Sequence, residues 1–155
     1  KPLLGSITAA NTSVAADAAA FCLVVSEQIA KTYAGPKAEI ITGCTLGGTP
    51  DMPGLAPVAA IKRALGHAQI TPEQLAMSEI MEAYAVQAIA CVWGAGLDEG
   101  RVNIGGGSLA RGHPIGASGA INAVRLYHEL TSTGGYGLAA IAAAGGLGTA
   151  VILHV

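Results

Sequence analysis

Residues Asn103 to Ala120 read NIGGGSLARGHPIGASGA, and their types and spacing could hold one imidazole for proton transfer. A glycine triplet, a Gly-His-Pro and a Gly-x-x-Gly follow each other closely, although each glycine loses more backbone entropy on folding than any other residue. Pro114 fixes φ beside His113 and can start a helix at Ile115. The pattern predicts a tight loop presenting His113 at a helix N-terminus. The positive end of a helix dipole disfavours imidazolium, so the ring is expected to be neutral near pH 7. A neutral imidazole can take a proton from a thiol or donate its N–H to an oxyanion. The alternative is a histidine that only hydrogen-bonds its own loop.

Other chemistries find less support. Gly112-x-x-x-Gly116-x-x-Gly119 lacks the Lys-Ser/Thr of a phosphate loop and does not fit G-x-G-x-x-G. Ser108 and Ser118 sit near glycines, but neither completes a G-x-S-x-G elbow. Glu79 and Glu82 lie three apart, as a paired acid and base could; a helix-start carboxylate is the expected role of Glu82. Cys22, Cys44 and Cys91 are widely spaced in apolar runs, the pattern of buried, reduced thiols in a cytoplasmic protein. The four histidines show no zinc-ligand spacing, so no metal is expected.

The elements that must position His113 follow from the apolar pattern. Ala18 to Val25 reads as a buried strand, and Ser26 as the cap of a short helix, Glu27 to Tyr33. Further strands are predicted over Ala38 to Thr45, Met77 to Ile80, Leu138 to Ala143 and Thr149 to Val155. Helices are predicted over Ala56 to Ala68, Ala83 to Trp93 and Ile115 to Leu130. Strands alternating with helices, several of the strands apolar on both faces, indicate an α/β fold with a covered sheet.

The composition is 52% hydrophobic and only 12% charged, with a mean hydropathy of +0.52. Soluble domains usually carry about a quarter charged residues, so either an Ala-rich core or a surface meant to be covered is expected. A net charge of −2 and the lack of a basic run argue against nucleic acid. Leu130 to Leu153 contains no Asp, Glu, Lys or Arg, but its glycines divide it into strand-sized pieces, so no membrane span is expected.

The histidine loop closely resembles that of thiolases, acyltransferases that make and break 3-ketoacyl-CoA. Three further blocks follow the family order: Thr8-Ala9-Ala10-Asn11-Thr12-Ser13, Glu79-Ile80-Met81-Glu82-Ala83-Tyr84-Ala85, and Ala142-Ala143-Ala144-Gly145-Gly146-Leu147-Gly148. The resemblance implies a thiolase-like layered α/β fold, with residues 1–34 ending the N-terminal half and residues 35–155 forming the C-terminal domain. A mixed five-stranded sheet covered by helices is expected. The resemblance makes His113 the catalytic histidine and Ala9, Ser13, Ala83 and Tyr84 contacts to the pantetheine arm of CoA, which is a substrate rather than a cofactor.

The departures carry equal weight. Ala142 stands where the family has an acid/base cysteine, Met81 where an asparagine orients an oxyanion-hole water, and Ala144 where a glycine offers its N–H. The nucleophilic cysteine of the first half has no counterpart among Cys22, Cys44 and Cys91. The chain opens at Lys1-Pro2 without an initiator Met, as expected of a fragment, a processed chain or a trimmed one. Three functions compete. The chain is the C-terminal part of an acyl-CoA acyltransferase whose chemistry has drifted, inactive alone. It is a non-catalytic CoA-thioester-binding or structural subunit pairing with an active chain or in an oligomer. Or it is a fragment with no independent function.

Overall fold

The computed structural model describes residues 5–155, and its elements follow the apolar periodicity closely. In chain order they are α1 (Glu27–Thr32), β1 (Glu39–Gly47), α2 (Ala56–Ala68), β2 (Leu75–Ile80), α3 (Ala85–Ala95), α4 (Ser108–Arg111), α5 (Ser118–Thr133), β3 (Tyr136–Ala143) and β4 (Leu147–His154). Single tight turns lie between them. Ser26 caps α1 as expected, its hydroxyl accepting from the Ile29 N–H at 3.4 Å.

One mixed sheet has the order β1-β4-β3-β2. β2 runs parallel to β3, and β4 runs antiparallel to both β3 and β1. The C-terminal ends of β1, β2 and β3 therefore gather at one end of the sheet. The β3–β4 hairpin turns there, with Gly145 and Gly146 at φ 83° and 84°, a left-handed conformation that side chains disfavour. In open α/β sheets that end is where ligands are bound.

β3 is apolar on both faces because both are covered. Leu138 and Ala140 pack with Ala150 and Ile152 of β4 against Ala60, Ile61 and Ala64 of α2 and Cys91 and Val92 of α3. On the opposite face Ala139 and Leu153 meet Leu126 and Leu130 of α5. Full burial of a leucine or isoleucine side chain stabilises by about 1.5–3 kcal/mol, so these two clusters hold the layers together.

The differences from the sequence reading have physical reasons. The sheet has four strands, not the five expected of the C-terminal half, and the separate strand predicted before it does not form. Ala18 to Val25 makes no ladder, and Phe21 and Leu23 stand 89% and 90% exposed. A strand needs a neighbour to pair its backbone groups, and among the described residues none lies beside this segment. Cys22 is accordingly exposed rather than buried, while Cys91 is buried and Cys44 half-buried. The long helix after the histidine starts at Ser118 rather than Ile115; the Pro114 carbonyl instead accepts from the Ala117 and Ser118 N–H groups in a turn. α3 shows Val86, Ile89 and Trp93 to solvent along one stripe, spacing that puts them on one helix face.

Candidate active site

The histidine loop begins as an addition to β2. Val102 bridges Ser78, and the Asn103 N–H donates to the Ser78 carbonyl at 2.9 Å. The Asn103 side chain takes both backbone groups of Ile80, accepting from its N–H at 2.8 Å and donating to its carbonyl at 2.9 Å. Its amide also donates to the Glu82 carboxylate at 2.7 Å. The other Glu82 oxygen accepts from the Leu109 N–H at 3.0 Å, in the first turn of α4. Glu82 is thus a helix-start carboxylate, as the sequence suggests, but for α4. A side chain at Gly107 would collide with that carboxylate.

A second anchor lies beneath the loop. Glu79 is fully buried on β2; its Oε2 lies 3.3 Å from Arg125 Nε on α5 and 3.7 Å from Arg111 Nη2 at the end of α4. Arg111 also donates to the Gly106 carbonyl at 2.9 Å, and Arg125 pairs with Glu129 at 3.4 Å. One buried carboxylate therefore holds arginines from both sides of His113. Burial, with the nearby Glu129 carboxylate, raises the Glu79 pKa from 4.5 to about 7 against the pull of the two arginines.

That shift makes a stability prediction. Between pH 4.5 and 7 the unfolded chain loses the Glu79 proton while the folded chain keeps it, so stability falls as pH rises through this window and levels off above it. The fall amounts to about 3 kcal/mol. His113 acts oppositely, since burial lowers its pKa and its contribution grows with pH below its unfolded value. Urea unfolding of wild type and Glu79→Gln from pH 4.5 to 8 separates the two: the variant should lose the decline. Parallel curves would show that Glu79 does not titrate there.

His113 itself is held from the N-terminal side. Its N–H donates to the Val14 carbonyl at 2.8 Å, and Ala15 bridges it in parallel. The same strap bridges Thr12 to Tyr84, and the Ser13 N–H donates to the Ala83 carbonyl at 3.0 Å. The Ser13 hydroxyl donates to the Glu82 carbonyl. The strap fits because Gly112, at φ 90°, has no side chain to strike Ala16. The structure so brings Ser13, Ala83, Tyr84 and His113 together along one strap, while Ala9 sits exposed in the turn Ala9–Asn11 that leads into it.

The ring of His113 is half-buried, with Nδ1 2.7 Å from Ser118 Oγ. Burial, rather than the helix dipole expected from the sequence, lowers its pKa and favours the neutral form. It opens onto a groove of about 550 Å³ walled by Ala16, Ala20, Phe21, Pro114, Ile115 and Ala117. The departures surround the same end of the sheet. Met81 is buried, its N–H donating to the Ala140 carbonyl at 3.0 Å. Ala142 is half-buried at the end of β3 opposite Gly148, and Ala144 is exposed in the hairpin turn. The amide of buried Asn122 on α5 lies between the Met81 N–H and the Ser118 carbonyl, and it is satisfied at both ends when turned so that Oδ1 accepts from the first at 3.2 Å and the nitrogen donates to the second at 3.3 Å. Sequence reading missed the roles of Asn103 and Asn122 and the Glu79 anchor, all of which depend on contacts distant in sequence.

Among the described residues no helix is long and apolar enough to cross a membrane, and no three His, Cys, Asp or Glu side chains cluster as metal ligands would. The family model described as "Thiolase, C-terminal domain" matches residues 34–155. The chain is 40% identical to the beta-ketoadipyl-CoA thiolase of Acinetobacter baylyi, an alignment covering 97% of this chain and 38% of that protein. It is 43% identical to the acetyl-CoA acetyltransferase of Cupriavidus necator, over 97% of this chain and 39% of that one. Among solved structures, human mitochondrial 3-ketoacyl-CoA thiolase superposes with a TM-score of 0.87 at 34% identity, covering 97% of this chain and 39% of the human one. That thiolase has also been solved in complex with CoA. The chain thus spans less than half the length of the relatives it matches.

Proposed function

Since this chain belongs to the thiolase family through its C-terminal domain, we propose that it supplies the histidine half of a site that transfers acyl groups to or from CoA thioesters. The observation that carries this is the strap: one backbone run ties Ser13 to Ala83 and Val14 to His113, so pantetheine contacts and base are set relative to each other. In this reading Ser13, Ala83, Tyr84 and, farther out, Ala9 contact the pantetheine arm. His113 in its neutral form takes the proton of a cysteine thiol supplied from outside these residues.

Two of this chain's three thiols are engaged with backbone carbonyls, and the third lies away from the His113 contacts on an unpaired segment. Cys44 and Cys91 donate to the Ala60 and Gly54 carbonyls at 3.1 Å each, and Cys22 is exposed. With no nucleophile, Ala142 in place of an acid/base cysteine and buried Met81 in place of a polar side chain, the chain alone is inactive in Claisen chemistry. The partner is the first half of a thiolase fold or another chain bearing one, and the exposed apolar residues Phe21, Leu23 and Trp93 are surface for it to cover.

The test is thiolysis of acetoacetyl-CoA by the chain alone and by its complex with a nucleophile-bearing thiolase half. The chain alone should release nothing above background. In the complex, His113→Gln should slow acyl-enzyme formation about a hundredfold to ten-thousandfold. Turnover by the isolated chain would overturn the reading. Ala142 favours a second reading, a CoA-thioester-binding or structural subunit; a complex that binds CoA but forms no acyl-enzyme would establish it.

A further inference from the structure

We propose that Ser118 is a positioning residue that sets the tautomer of His113, keeping the proton on Nδ1 and leaving the Nε2 lone pair free toward the groove. This rests on the reading of His113 as a base. An imidazole serves as a base only through an unprotonated ring nitrogen, and which nitrogen that is depends on the bond made by the other.

The local geometry leaves one consistent arrangement of protons. Ser118 Oγ lies 2.7 Å from His113 Nδ1 and 3.0 Å from the Pro114 carbonyl oxygen. A serine hydroxyl has one proton to give and two lone pairs with which to accept. The Pro114 oxygen can only accept. If the hydroxyl proton pointed at Nδ1, the serine and carbonyl oxygens would face each other at 3.0 Å with lone pairs opposed. Ser118 is 2% exposed in the first turn of α5, so water cannot intervene. The proton therefore goes to Pro114, the usual backward bond of a helical serine to the carbonyl four residues earlier. The hydroxyl then accepts, and its donor is Nδ1–H. Nε2 has no hydrogen-bond partner among the described residues.

The arrangement also explains the spacing His113-Pro114-x-x-x-Ser118. Pro114 contributes no N–H of its own, and its carbonyl collects the Ala117 and Ser118 N–H groups at 2.9 Å each as well as the hydroxyl. The turn places the serine under the ring by closing on the residue next to the histidine. Ser118 acts through His113 and touches no reacting atom in this proposal.

Two-bond ¹H–¹⁵N correlation spectra of the ¹⁵N-histidine-labelled chain read the tautomer directly, with the His113 signals identified by their loss in His113→Gln. The wild type at neutral pH should show the Nδ1–H pattern, and Ser118→Thr, which retains a hydroxyl, should preserve it. Ser118→Ala should move the ratio toward Nε2–H by about fivefold, the weight of one ordinary hydrogen bond. An Nε2–H pattern in the wild type, or an unchanged pattern in Ser118→Ala, would overturn the proposal. An Nε2–H pattern in the wild type or in Ser118→Thr overturns it even if the alanine variant does not fold. Acyl transfer insensitive to His113→Gln, with the tautomers as expected, would instead overturn the base reading and leave this assignment standing.

Discussion

In the complex with a nucleophile-bearing thiolase half, Ala142→Cys is expected to raise carbon–carbon condensation of two acetyl-CoA molecules about a hundredfold or more. That is the usual contribution of one positioned acid/base group. The substitution acts at the right place in the fold. Ala142 closes β3 at the sheet end where β1 and β2 also finish and the histidine loop stands. Position 142 is half-buried and the next two residues are exposed, so a sulfur can be added without overpacking the core. Adding Met81→Asn should raise the rate further, since a buried methionine offers nothing to orient water. The measurement is CoA release coupled to acetoacetyl-CoA formation. No gain from Ala142→Cys would mean that the chemistry has not drifted from condensation by loss of this group.

Gly148→Ala should destabilise the chain by about 3 kcal/mol, lowering Tm by about 10 °C. A Cβ at Gly148 would overlap the carbonyl of Ala56 and come within 2.6 Å of the Pro57 nitrogen. All of these are backbone atoms at the start of α2, where Ala56 and Pro57 are buried, so no side chain can rotate away. The hairpin cannot yield either, because the Gly48 N–H donates to the Gly146 carbonyl at 2.6 Å. Gly116→Ala is the control, with nothing within 4 Å of its added carbon; surface changes of that kind stay within about 0.5 kcal/mol. Thermal unfolding of the three proteins reads the difference. Equal midpoints for wild type and Gly148→Ala would contradict the contact between β4 and α2.

What could be read before the structure was whatever repeats locally. α2, α3 and α5 announce themselves by apolar spacing, and β3 and β4 by runs bounded by glycines; each comes within a few residues of its predicted limits. Ala18 to Val25 has the same local signal, yet pairing is a property of two segments, and that segment has no partner among the described residues. The strap against His113 was not legible: the resemblance marked Thr8 to Ser13 as a pantetheine segment, but not its pairing with the histidine. The Glu79 anchor was not legible at all, because Arg125 lies 46 residues further on and nothing in the intervening sequence links them. Glu79 therefore looked like half of an acid/base pair with Glu82. Instead the two carboxylates face different tasks, one beneath the loop and one at its helix start. Ser118 looked like a residue among glycines because its significance depends on two acceptor and donor atoms that only folding brings to it.

The attachment of Asn103 to β2 has a consequence for self-association. β2 is an outer strand of the sheet, and outer strands offer their free backbone groups to any passing chain. Here Asn103 occupies the Ser78 carbonyl and both backbone groups of Ile80, so the segment that leads to His113 also hems that margin. The opposite margin, β1, carries only exposed and half-buried residues, which alternate from Thr42 to Gly47. Aggregation by strand addition therefore has its opening at β1, and substitutions at Asn103 that loosen the loop would create a second opening at β2. Tuning the site through Asn103 thus trades reactivity against colloidal behaviour, a constraint that a loop hung clear of the sheet would not carry.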